Sequence, residues 1–342
     1  MGRILIIGGA GYIGSHVNLQ LGERRYSTVV LDNLSKGHKW AVLYGDFFLG
    51  DMGDRALLSN IFNKYEVDIV MHFSAYSIVE ESVIYPLQYY RNNIANTLKL
   101  LEVMVEVGIK KIVFSSTAAV YGEPKAIPIP EEHLTNPTNP YGKTKLVIEN
   151  MLKDCDRAYG LKFISLRYFN AAGADDNGRI GELHEPETHL IPRILRTAKL
   201  IKNGATAGDD PKIEIYGTDY NTSDGTCIRD YIHVNDLGDA HMMAVDHLRS
   251  GGESRIYNLG SGDGYSVKEV IRKAKEVTGV DLPVRECQRR AGDPARLLAD
   301  VKKISQDWNW QPNRDLTEII ETAWKWELKS SHLVSRINNY KA

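Results

Sequence analysis

Residues 8–14 read Gly-Gly-Ala-Gly-Tyr-Ile-Gly and follow directly on the aliphatic run 3–7. An apolar run that ends in closely spaced glycines and continues as an amphipathic segment predicts a strand, a tight turn and a helix. In this pattern Gly8 permits the tight turn, Gly11 lets the backbone approach a pyrophosphate, and Gly14 allows the helix to pack closely on the strand. Unpaired backbone N–H groups and the helix dipole favour negative charge at the start of that helix, so we expect dinucleotide phosphates there.

An acidic residue follows the second predicted strand. The apolar run 27–31 ends at Asp32, about twenty residues beyond the glycines, where dinucleotide-binding folds place a carboxylate. A carboxylate at this position accepts hydrogen bonds from the adenosine ribose and repels a 2′-phosphate. The sequence therefore predicts NAD rather than NADP as the cofactor.

Strand patterns alternate with helix patterns through the first half of the chain. The predicted strands are 3–7, 27–31, 43–48, 67–72, 110–116 and 162–169, and the predicted helices are 11–22, 54–64, 88–107 and 141–158. This alternation predicts parallel β-α-β units covered by helices on both faces. We expect an α/β protein: a Rossmann-like doubly wound parallel sheet with a smaller C-terminal α/β substrate lobe.

The sequence becomes more polar and less periodic after residue 170. Polar stretches at 171–188, 203–211 and 217–227 predict long loops around a site, and helix patterns return at 190–202, 235–248, 266–278 and 315–328. We expect an NAD-binding domain over residues 1–170 and a substrate domain over 171–342. Residues 231–260 are a candidate for folding back onto the first domain.

Bulk properties exclude several classes of protein. The chain has 342 residues and a formal net charge of −2, which gives no electrostatic reason to expect nucleic acid or a membrane as a partner. Three widely spaced cysteines predict free thiols and a cytoplasmic location. Because His184 and His189 are five residues apart and separated by Pro186, they form no helical zinc motif, and no metal site is expected.

Tyr141 and Lys145 are candidate catalytic residues. Asn139 and Pro140 predict a helix start, which puts Tyr141 and Lys145 one turn apart on the same helix face. A free tyrosine has a pKa of about 10, but a nearby ammonium and the positive nicotinamide ring favour the phenolate. The spacing therefore suits a tyrosine general base. Taken alone, the same spacing favours an ordinary pair on a helix surface.

Hydroxyl side chains end the fifth predicted strand. Ser115, Ser116 and Thr117 lie where open α/β sheets bind their ligands. We expect Thr117 to bridge a substrate oxygen and Tyr141, whereas Ser115 is expected to bond only to backbone.

These motifs together resemble the extended short-chain dehydrogenase/reductase family. The resemblance covers nearly the whole chain. Its segments are 8–16, 31–37, 50–52, 72–75, 81–82, 90–93, 115–122, 139–145, 167–170, 224–233, 257–260 and 289–293. The segments from 167 onward resemble the branch of the family that acts on nucleotide sugars, so the second domain is expected to bind a nucleotide sugar.

The resemblance implies Thr117, Tyr141 and Lys145 as the catalytic residues. The positions that it implies for binding of NAD are Gly8, Gly11, Tyr12, Ile13, Gly14, Asp32, Asn33, Leu34, Ser35, Lys36, Gly37, Asp51, Met52, Phe73, Ser74, Ala75, Tyr76, Ser77, Asn92 and Phe169. Ser77 stands where many members carry a lysine near the cofactor pyrophosphate, so one cationic contact is missing.

The resemblance also implies a set of residues that bind the sugar nucleotide. They are Asn170, His189, Leu190, Ile215, Tyr216, Arg229, Arg290, Asp293 and Leu297. Arginines bind phosphate through charge-assisted hydrogen bonds, which suits Arg229 and Arg290. Leu297 occupies the position at which this family sorts sugars with and without a 2-acetamido group. Since leucine is smaller than tyrosine, we expect some tolerance for UDP-GlcNAc and UDP-GalNAc.

The activity that the resemblance implies is inversion at sugar C4 through a transient 4-keto sugar, which interconverts UDP-glucose and UDP-galactose. One alternative is the same chemistry on UDP-xylose and UDP-arabinose. Another is a redox sensor that binds NAD without turnover. A 4,6-dehydratase is disfavoured because Ala118 and Ala119 stand where that reaction needs a carboxylic acid. The resemblance further implies a homodimer through helices 88–107 and 141–158.

Overall fold

Strands and helices alternate along most of the chain. The structure is a computed structural model that describes residues 2–204, 211–290 and 293–339, with 331–339 as backbone only. The strands are β1 (Arg3–Ile7), β2 (Thr28–Asp32), β3 (Asp46–Leu49), β4 (Val67–His72), β5 (Lys111–Thr117), β6 (Lys162–Tyr168), β7 (Asn170–Ala172), β8 (Ile213–Tyr216), β9 (Ile228–Arg229), β10 (Tyr231–His233), β11 (Arg255–Leu259), β12 (Tyr265–Ser266), β13 (Val284–Cys287) and β14 (Arg296–Leu297). The α-helices are α1 (Tyr12–Glu23), α2 (Arg55–Lys64), α3 (Val79–Ile84), α4 (Pro86–Tyr89), α5 (Asn96–Val107), α6 (Pro140–Tyr159), α7 (Leu190–Lys202), α8 (Val234–Arg249), α9 (Val267–Thr278), α10 (Lys302–Trp308) and α11 (Leu316–Asn339).

A parallel sheet of seven strands forms the centre of the first lobe. Its order is β3–β2–β1–β4–β5–β6–β11, and every neighbouring pair is parallel. The direction of strand order reverses between β1 and β4, which is the point where open α/β sheets bind ligands. The predicted Rossmann-like doubly wound sheet is confirmed.

The side chains of β1 show why helices cover both faces of the sheet. Ile4 and Ile6 belong to one buried cluster, together with side chains of α1 and α8. Leu5 and Ile7 belong to another, together with side chains of α2, α5 and α6. Alternate residues of a strand point to opposite faces, so an unbroken aliphatic strand must be covered twice.

The seventh strand comes from late in the chain. β11 pairs with β6, and α8 packs against α1 so closely that a Cβ on Gly238 would lie 2.2 Å from Oε1 of Gln20. The segment 231–260 thus contributes one strand and one helix to the sheet and its cover. The division of the chain into domains at residue 170 stays a prediction.

The predicted helix 88–107 is not one regular helix. Its helical course begins at Pro86 with α4, passes through a π-helical stretch at Tyr90–Ala95 and continues as α5. A π-helical stretch inserts an extra residue into the turn, and such insertions are frequent at functional sites. Spacing of apolar residues cannot reveal this insertion, because it shifts the helical period only locally.

The second lobe is built from small sheets and three larger helices. β8 pairs with β13, β9 lies between β12 and β14, and β7 pairs with β10. Side chains of α7, α9 and α11 share one buried cluster. α11 extends to Asn339, beyond the predicted end at 328, and most of the predicted loop 203–211 lies outside the described residues. Across the described ranges, none of the helices has the length and apolar character needed to span a membrane.

Candidate active site

Six neighbouring strands bring the predicted cofactor residues to one edge of the sheet. Gly8 follows β1, Asp32 ends β2, Asp51 follows β3, Phe73 follows β4, Thr117 ends β5 and Phe169 follows β6. The carboxyl ends of parallel strands form the ligand-binding edge of an open α/β sheet. The predicted residues are therefore gathered where a dinucleotide binds.

The three glycines of the first turn have different structural roles. Gly8 has a φ of +79°, which glycine adopts at little cost. A Cβ on Gly14 would lie 2.3 Å from the carbonyl oxygen of Gly8, so the third glycine is needed for close packing. Gly11 has only that oxygen as a neighbour, at 3.4 Å. The fold thus requires glycine at 8 and 14, and leaves the surface at Gly11 open to a pyrophosphate.

The Asp32 carboxylate orders the loops around it. Its Oδ2 accepts a hydrogen bond from the backbone N–H of Ala10 at 2.9 Å, and its Oδ1 accepts one from Leu34 at 2.8 Å. Burial raises the pKa of this carboxyl. Beside it, Asn33 donates to Asp51 at 2.9 Å, which ties the loop after β2 to the loop after β3. The site fits the adenosine half of NAD, because a carboxylate and an exposed backbone turn lie side by side.

Other predicted cofactor residues lie in the same loops. The backbone N–H of Ser35 donates a hydrogen bond to Oδ1 of Asn33. The ammonium of Lys36 donates to the carbonyl oxygen of Glu185 at 3.4 Å. A Cβ on Gly37 would lie 2.8 Å from the carbonyl carbon of Ala10, so the loop after β2 touches the glycine turn.

Tyr12 and Ile13 use their side chains elsewhere. The Tyr12 hydroxyl donates to the carbonyl oxygen of Gly173 at 2.6 Å, and Ile13 packs against the core beneath the sheet. We therefore expect these two residues to contact a dinucleotide through their backbone N–H groups at the start of α1.

The loop after β4 is held by Asn93, which the sequence analysis did not select. Asn93 accepts from the backbone N–H of Tyr76 at 2.9 Å, donates to the carbonyl oxygen of Tyr76 and donates to the hydroxyl of Thr144 on α6. It also accepts from the Asn92 amide at 3.0 Å. Asn93 thus links the π-helical stretch, the segment Phe73–Ser77 and the helix that carries Tyr141. The signal that the sequence offered was an asparagine inside the helical pattern 88–107.

The remaining residues of this part are placed by packing. Met52 and Phe169 are buried, the ring of Phe73 lies 4.9 Å from that of His241, and a Cβ on Gly8 would lie 2.6 Å from the backbone nitrogen of Ser74. Ala75 and Ser77 continue the same loop.

Thr117 is the last residue of β5, and Tyr141 lies in the first turn of α6. The Asn139 side chain accepts from the backbone N–H of Gly142 at 2.8 Å and caps α6, which starts the helix directly before Tyr141. Burial raises the pKa of Tyr141, and a hydrogen bond from Thr117 opposes that rise. Thr117 thus acts on the ionisation of Tyr141, while its predicted bridging role between Tyr141 and a substrate oxygen stays a prediction.

Lys145 lies one turn beyond Tyr141 and contacts the end of β5. Its Nζ donates to the carbonyl oxygen of Ser115 at 2.6 Å and lies 6.0 Å from the centroid of the Tyr141 ring. Burial lowers the pKa of Lys145 to about 7, although Glu149 opposes this effect. Burial and Thr117 are the influences on the pKa of Tyr141 in this arrangement, and a lowering of that pKa by the Lys145 ammonium stays a prediction.

Glu149 forms a buried ion pair that the sequence analysis missed. Its carboxylate accepts from Arg167 at 2.7 Å, and the two side chains are 0% and 3% exposed. Ser116 and Ser165 donate to the same carboxylate. A charged residue inside the apolar strand 162–168 was the available sign, because buried charges need partners.

Several predicted substrate residues converge around Arg229. Arg229 donates to the carbonyl oxygen of Pro294 at 2.8 Å and to Asp293 at 3.2 Å. Asn170 donates to the backbone oxygen of Asp230 at 2.8 Å. The Asp230 carboxylate accepts from the backbone of Ser261 and, at 3.0 Å, of Ala299, and burial raises its pKa to about 6.

Arg290 forms a second cationic position. Its guanidinium lies 4.1 Å from the centroid of the Tyr216 ring, next to Ile215 in β8. Arg290 also lies 3.6 Å from the carboxylate of Glu80. A guanidinium stacked on an aromatic ring keeps its hydrogen-bonding edge free for a phosphate.

Leu297 lies beside the segment that follows β5. It pairs with Arg229 in the small sheet and packs against the cluster that contains Ala118, Val120 and Phe169. The structure therefore joins the predicted sugar-sorting position to the segment that directly follows Thr117.

His189 contacts two carboxylates before α7 begins at Leu190. Its Nδ1 lies 2.6 Å from Oε1 of Glu182 and 3.3 Å from Oε1 of Glu187. Burial lowers the pKa of His189, but these carboxylates outweigh burial and the pKa is raised.

Comparisons with known proteins identify the relatives of this chain. The family model for the NAD dependent epimerase/dehydratase family matches residues 4–260. A UDP-glucose 4-epimerase of Halalkalibacterium halodurans is 51% identical over 339 residues, 99% of each chain. The crystal structure of UDP-glucose 4-epimerase from Brucella ovis in complex with NAD has a TM-score of 0.90 and 46% identity, and the match covers 95% of this chain and 98% of that one.

A third similar structure has a broader name. The UDP-Glc/GlcNAc 4-epimerase of Campylobacter jejuni has a TM-score of 0.82 and 43% identity, and the match covers 96% of this chain and 100% of that one. These findings confirm the predicted family and the predicted NAD dependence. Since the family model matches most of the chain and these relatives align over nearly its whole length, this chain belongs to the NAD dependent epimerase/dehydratase family.

Proposed function

We propose that this protein interconverts UDP-glucose and UDP-galactose as an NAD-dependent 4-epimerase. The observation that carries the proposal is the placement of Thr117 at the end of β5 and of Tyr141 and Lys145 one turn apart at the start of α6, with Thr117 acting on the pKa of Tyr141. Two hydroxyls at the carboxyl edge of the sheet give a proton path at the place where a dinucleotide binds. The relatives named UDP-glucose 4-epimerase support the same activity.

In the proposed mechanism Tyr141 moves the proton. As a phenolate it takes the proton of the sugar 4-hydroxyl, and it later returns that proton to the same oxygen. Thr117 orients the proton through its hydrogen bond to Tyr141, and Lys145 fixes the helix against β5. NAD, when bound, supplies the chemistry of accepting and returning a hydride at C4.

The second lobe holds the UDP group while the sugar turns. Arg229 and Arg290 supply cationic groups for the diphosphate, and Asp293 fixes the first of them. Inversion requires that the 4-keto sugar present its opposite face, so the nucleotide must stay anchored while the hexose rotates. A substrate that is held only by its nucleotide keeps a hexose that is free to rotate.

A turnover assay tests the proposal. Purified protein is incubated with UDP-galactose and no added NAD, and UDP-glucose is measured. We expect Tyr141→Phe to lower kcat at least about a hundredfold, because general acid-base groups contribute that much. Tyr159→Phe is the matched control, since this tyrosine ends the same helix and is 53% exposed. A non-catalytic sensor would form no UDP-glucose, a dehydratase would accumulate a keto sugar, and near-normal turnover by Tyr141→Phe would refute the assigned role.

We also infer some tolerance for 2-acetamido sugars. Leu297 packs beside the segment that follows Thr117, and the Campylobacter jejuni relative is named for both UDP-Glc and UDP-GlcNAc. UDP-GlcNAc turnover is expected in the wild type and in Leu297→Met, which keeps the side-chain volume. Leu297→Tyr should lose it while keeping UDP-galactose turnover. Absence of UDP-GlcNAc turnover in the wild type would remove the inference.

An exposed apolar face supports the inference of a homodimer. Leu87 is 76% exposed, Ile84 is 67% exposed and Val83 is 62% exposed, all on α3 and α4 beside α6. Exposed apolar surface of this kind marks interfaces. In light scattering, Leu87→Glu should shift the protein toward a monomer, whereas Leu200→Glu, at an exposed position of α7, should leave a dimer. A monomeric wild type would contradict the inference.

We infer a cytoplasmic location from the free thiols. Cys155, Cys227 and Cys287 carry no disulfide, and unpaired thiols are typical of reducing compartments.

A further inference from the structure

Two histidines and two glutamates converge in the loop between β7 and α7. Glu182, His184, Glu187 and His189 each offer one ligand atom, and these four atoms all lie within 4.8 Å of one another. Nδ1 of His184 lies 3.0 Å from Oε1 of Glu182, the same oxygen that His189 contacts. The sequence argument excluded a helical zinc motif, and this segment is indeed no helix, but its irregular backbone brings the same side chains together.

One carboxylate oxygen of the cluster is buried without a hydrogen bond. The Glu187 side chain is 3% exposed, and its Oε2 accepts no hydrogen bond. The guanidinium of Arg196 lies 3.7 Å from this oxygen and uses the same nitrogen to donate to the carbonyl oxygen of His184. A buried carboxylate oxygen without a donor is costly, so such an atom needs an explanation. A cation held by the cluster supplies one.

We propose that Glu182, His184, Glu187 and His189 form a binding site for a divalent transition metal of the zinc class. Two imidazole nitrogens and two carboxylate oxygens make a set of four mixed ligands, which zinc prefers. Magnesium and calcium require six or more oxygen ligands and fit this set poorly. Tetrahedral zinc with bonds of about 2.0 to 2.1 Å separates neighbouring ligand atoms by about 3.3 Å. The observed separations of 2.6 and 3.0 Å between Oε1 of Glu182 and the two imidazole nitrogens need only small movements.

Surrounding hydrogen bonds orient the ligands. Oε1 of Glu187 accepts from the backbone N–H groups of Thr188 and His189, both at 2.9 Å. The indole N–H of Trp326 donates to the carbonyl oxygen of Glu182 at 2.9 Å. Outer partners of this kind fix ligand geometry and contribute to metal affinity. The site includes neither Thr117 nor Tyr141, although it shares His189 with the predicted sugar-nucleotide residues, and the proposal does not depend on the epimerase activity.

Direct metal binding tests the proposal. Tag-free full-length protein is treated with chelator, then titrated with Zn²⁺ in a calorimeter and with Co²⁺ while its visible absorption is recorded. We expect one ion per chain and the absorption bands of tetrahedral cobalt. His184→Ala and Glu187→Gln should each weaken Zn²⁺ binding at least about tenfold. Zn²⁺ should also raise the Tm of the wild type more than that of either variant.

A histidine outside the cluster provides the control. His247 lies on α8 and its Nε2 hydrogen-bonds to the carbonyl oxygen of Glu253. His247→Ala therefore removes one imidazole but no proposed ligand. It should bind Zn²⁺ like the wild type. Equal weakening in all three variants, or no saturable binding in the wild type, would overturn the proposal. If His184→Ala fails to fold, Glu187→Gln decides alone, because glutamine keeps the oxygen that accepts the backbone N–H groups. Since substrate is absent from these measurements, their failure would leave the epimerase proposal untouched.

Discussion

Lys145 donates a hydrogen bond of 2.6 Å to the backbone oxygen of Ser115, two residues before Thr117. This bond joins α6 to the end of β5, the two elements that carry Tyr141 and Thr117. The lysine is therefore a structural link between the two hydroxyls, in addition to any contact with a cofactor ribose. Its low pKa follows from the burial that this link requires.

Replacing Lys145 with methionine should separate the two hydroxyls. Lys145→Met keeps the length of the side chain but removes the donor, so we expect kcat for UDP-galactose to fall at least about a hundredfold. Lys143→Met is the matched control, because this lysine lies on the exposed side of the same helix. Steady-state assays compare the two variants, with circular dichroism as the test of folding. Activity within a few fold of the wild type in Lys145→Met would show that the link is dispensable.

The ionisation of Tyr141 should depend on the cofactor. Burial raises the pKa of Tyr141 above its ordinary value of 10.0, so the protein without NAD should hold a neutral phenol through neutral pH. A positive nicotinamide favours the phenolate, and NAD should lower that pKa. Ultraviolet difference titration of the wild type against Tyr141→Phe, with NAD removed and restored, measures both values. The phenolate signal should begin at lower pH in the loaded protein, and identical titrations would contradict the role given to the nicotinamide charge.

Gly11 and Gly14 should respond differently to alanine. A Cβ at Gly14 would overlap the carbonyl oxygen of Gly8, so Gly14→Ala should lower stability by about 1 to 3 kcal/mol. Gly11→Ala meets that oxygen only at 3.4 Å and should fold normally, but its methyl group obstructs the pyrophosphate. Urea unfolding reports the first effect, and the NAD content of the purified protein reports the second. Full NAD content in Gly11→Ala would mean that the pyrophosphate does not approach at this residue.

Local rules predicted much of this site. The glycine turn and Asp32 could be predicted because a strand, a turn and a helix fix backbone positions over a few residues. Tyr141 and Lys145 could be predicted as neighbours because the helical period is constant. The resemblance to a known family then supplied the residues of the second lobe.

Features that depend on packing could not be predicted in this way. The partner of Glu149 is set by the position of β6 beneath α6, and the pKa of Lys145 is set by the depth of its burial. The π-helical stretch at Tyr90–Ala95 changes the register of a helix without changing its apolar pattern. The cluster around His189 arises in an irregular segment, where no period relates sequence spacing to distance.

Removing either partner of the ion pair between Glu149 and Arg167 should strongly destabilise the fold. Removing one partner leaves an unpaired buried charge, so Glu149→Leu and Arg167→Met should each cost about 3 to 5 kcal/mol. The double variant should cost clearly less than the sum, because it leaves neither charge behind.

The exposed pair of Asp154 and Arg157, at 3.6 Å with side chains 75% and 80% exposed, is the control. Asp154→Asn should change stability by no more than about 1 kcal/mol. Urea unfolding of the NAD-loaded protein measures all four variants. Strictly additive costs would show that the two charges do not stabilise each other, and that Ser116 and Ser165 alone hold the carboxylate in place.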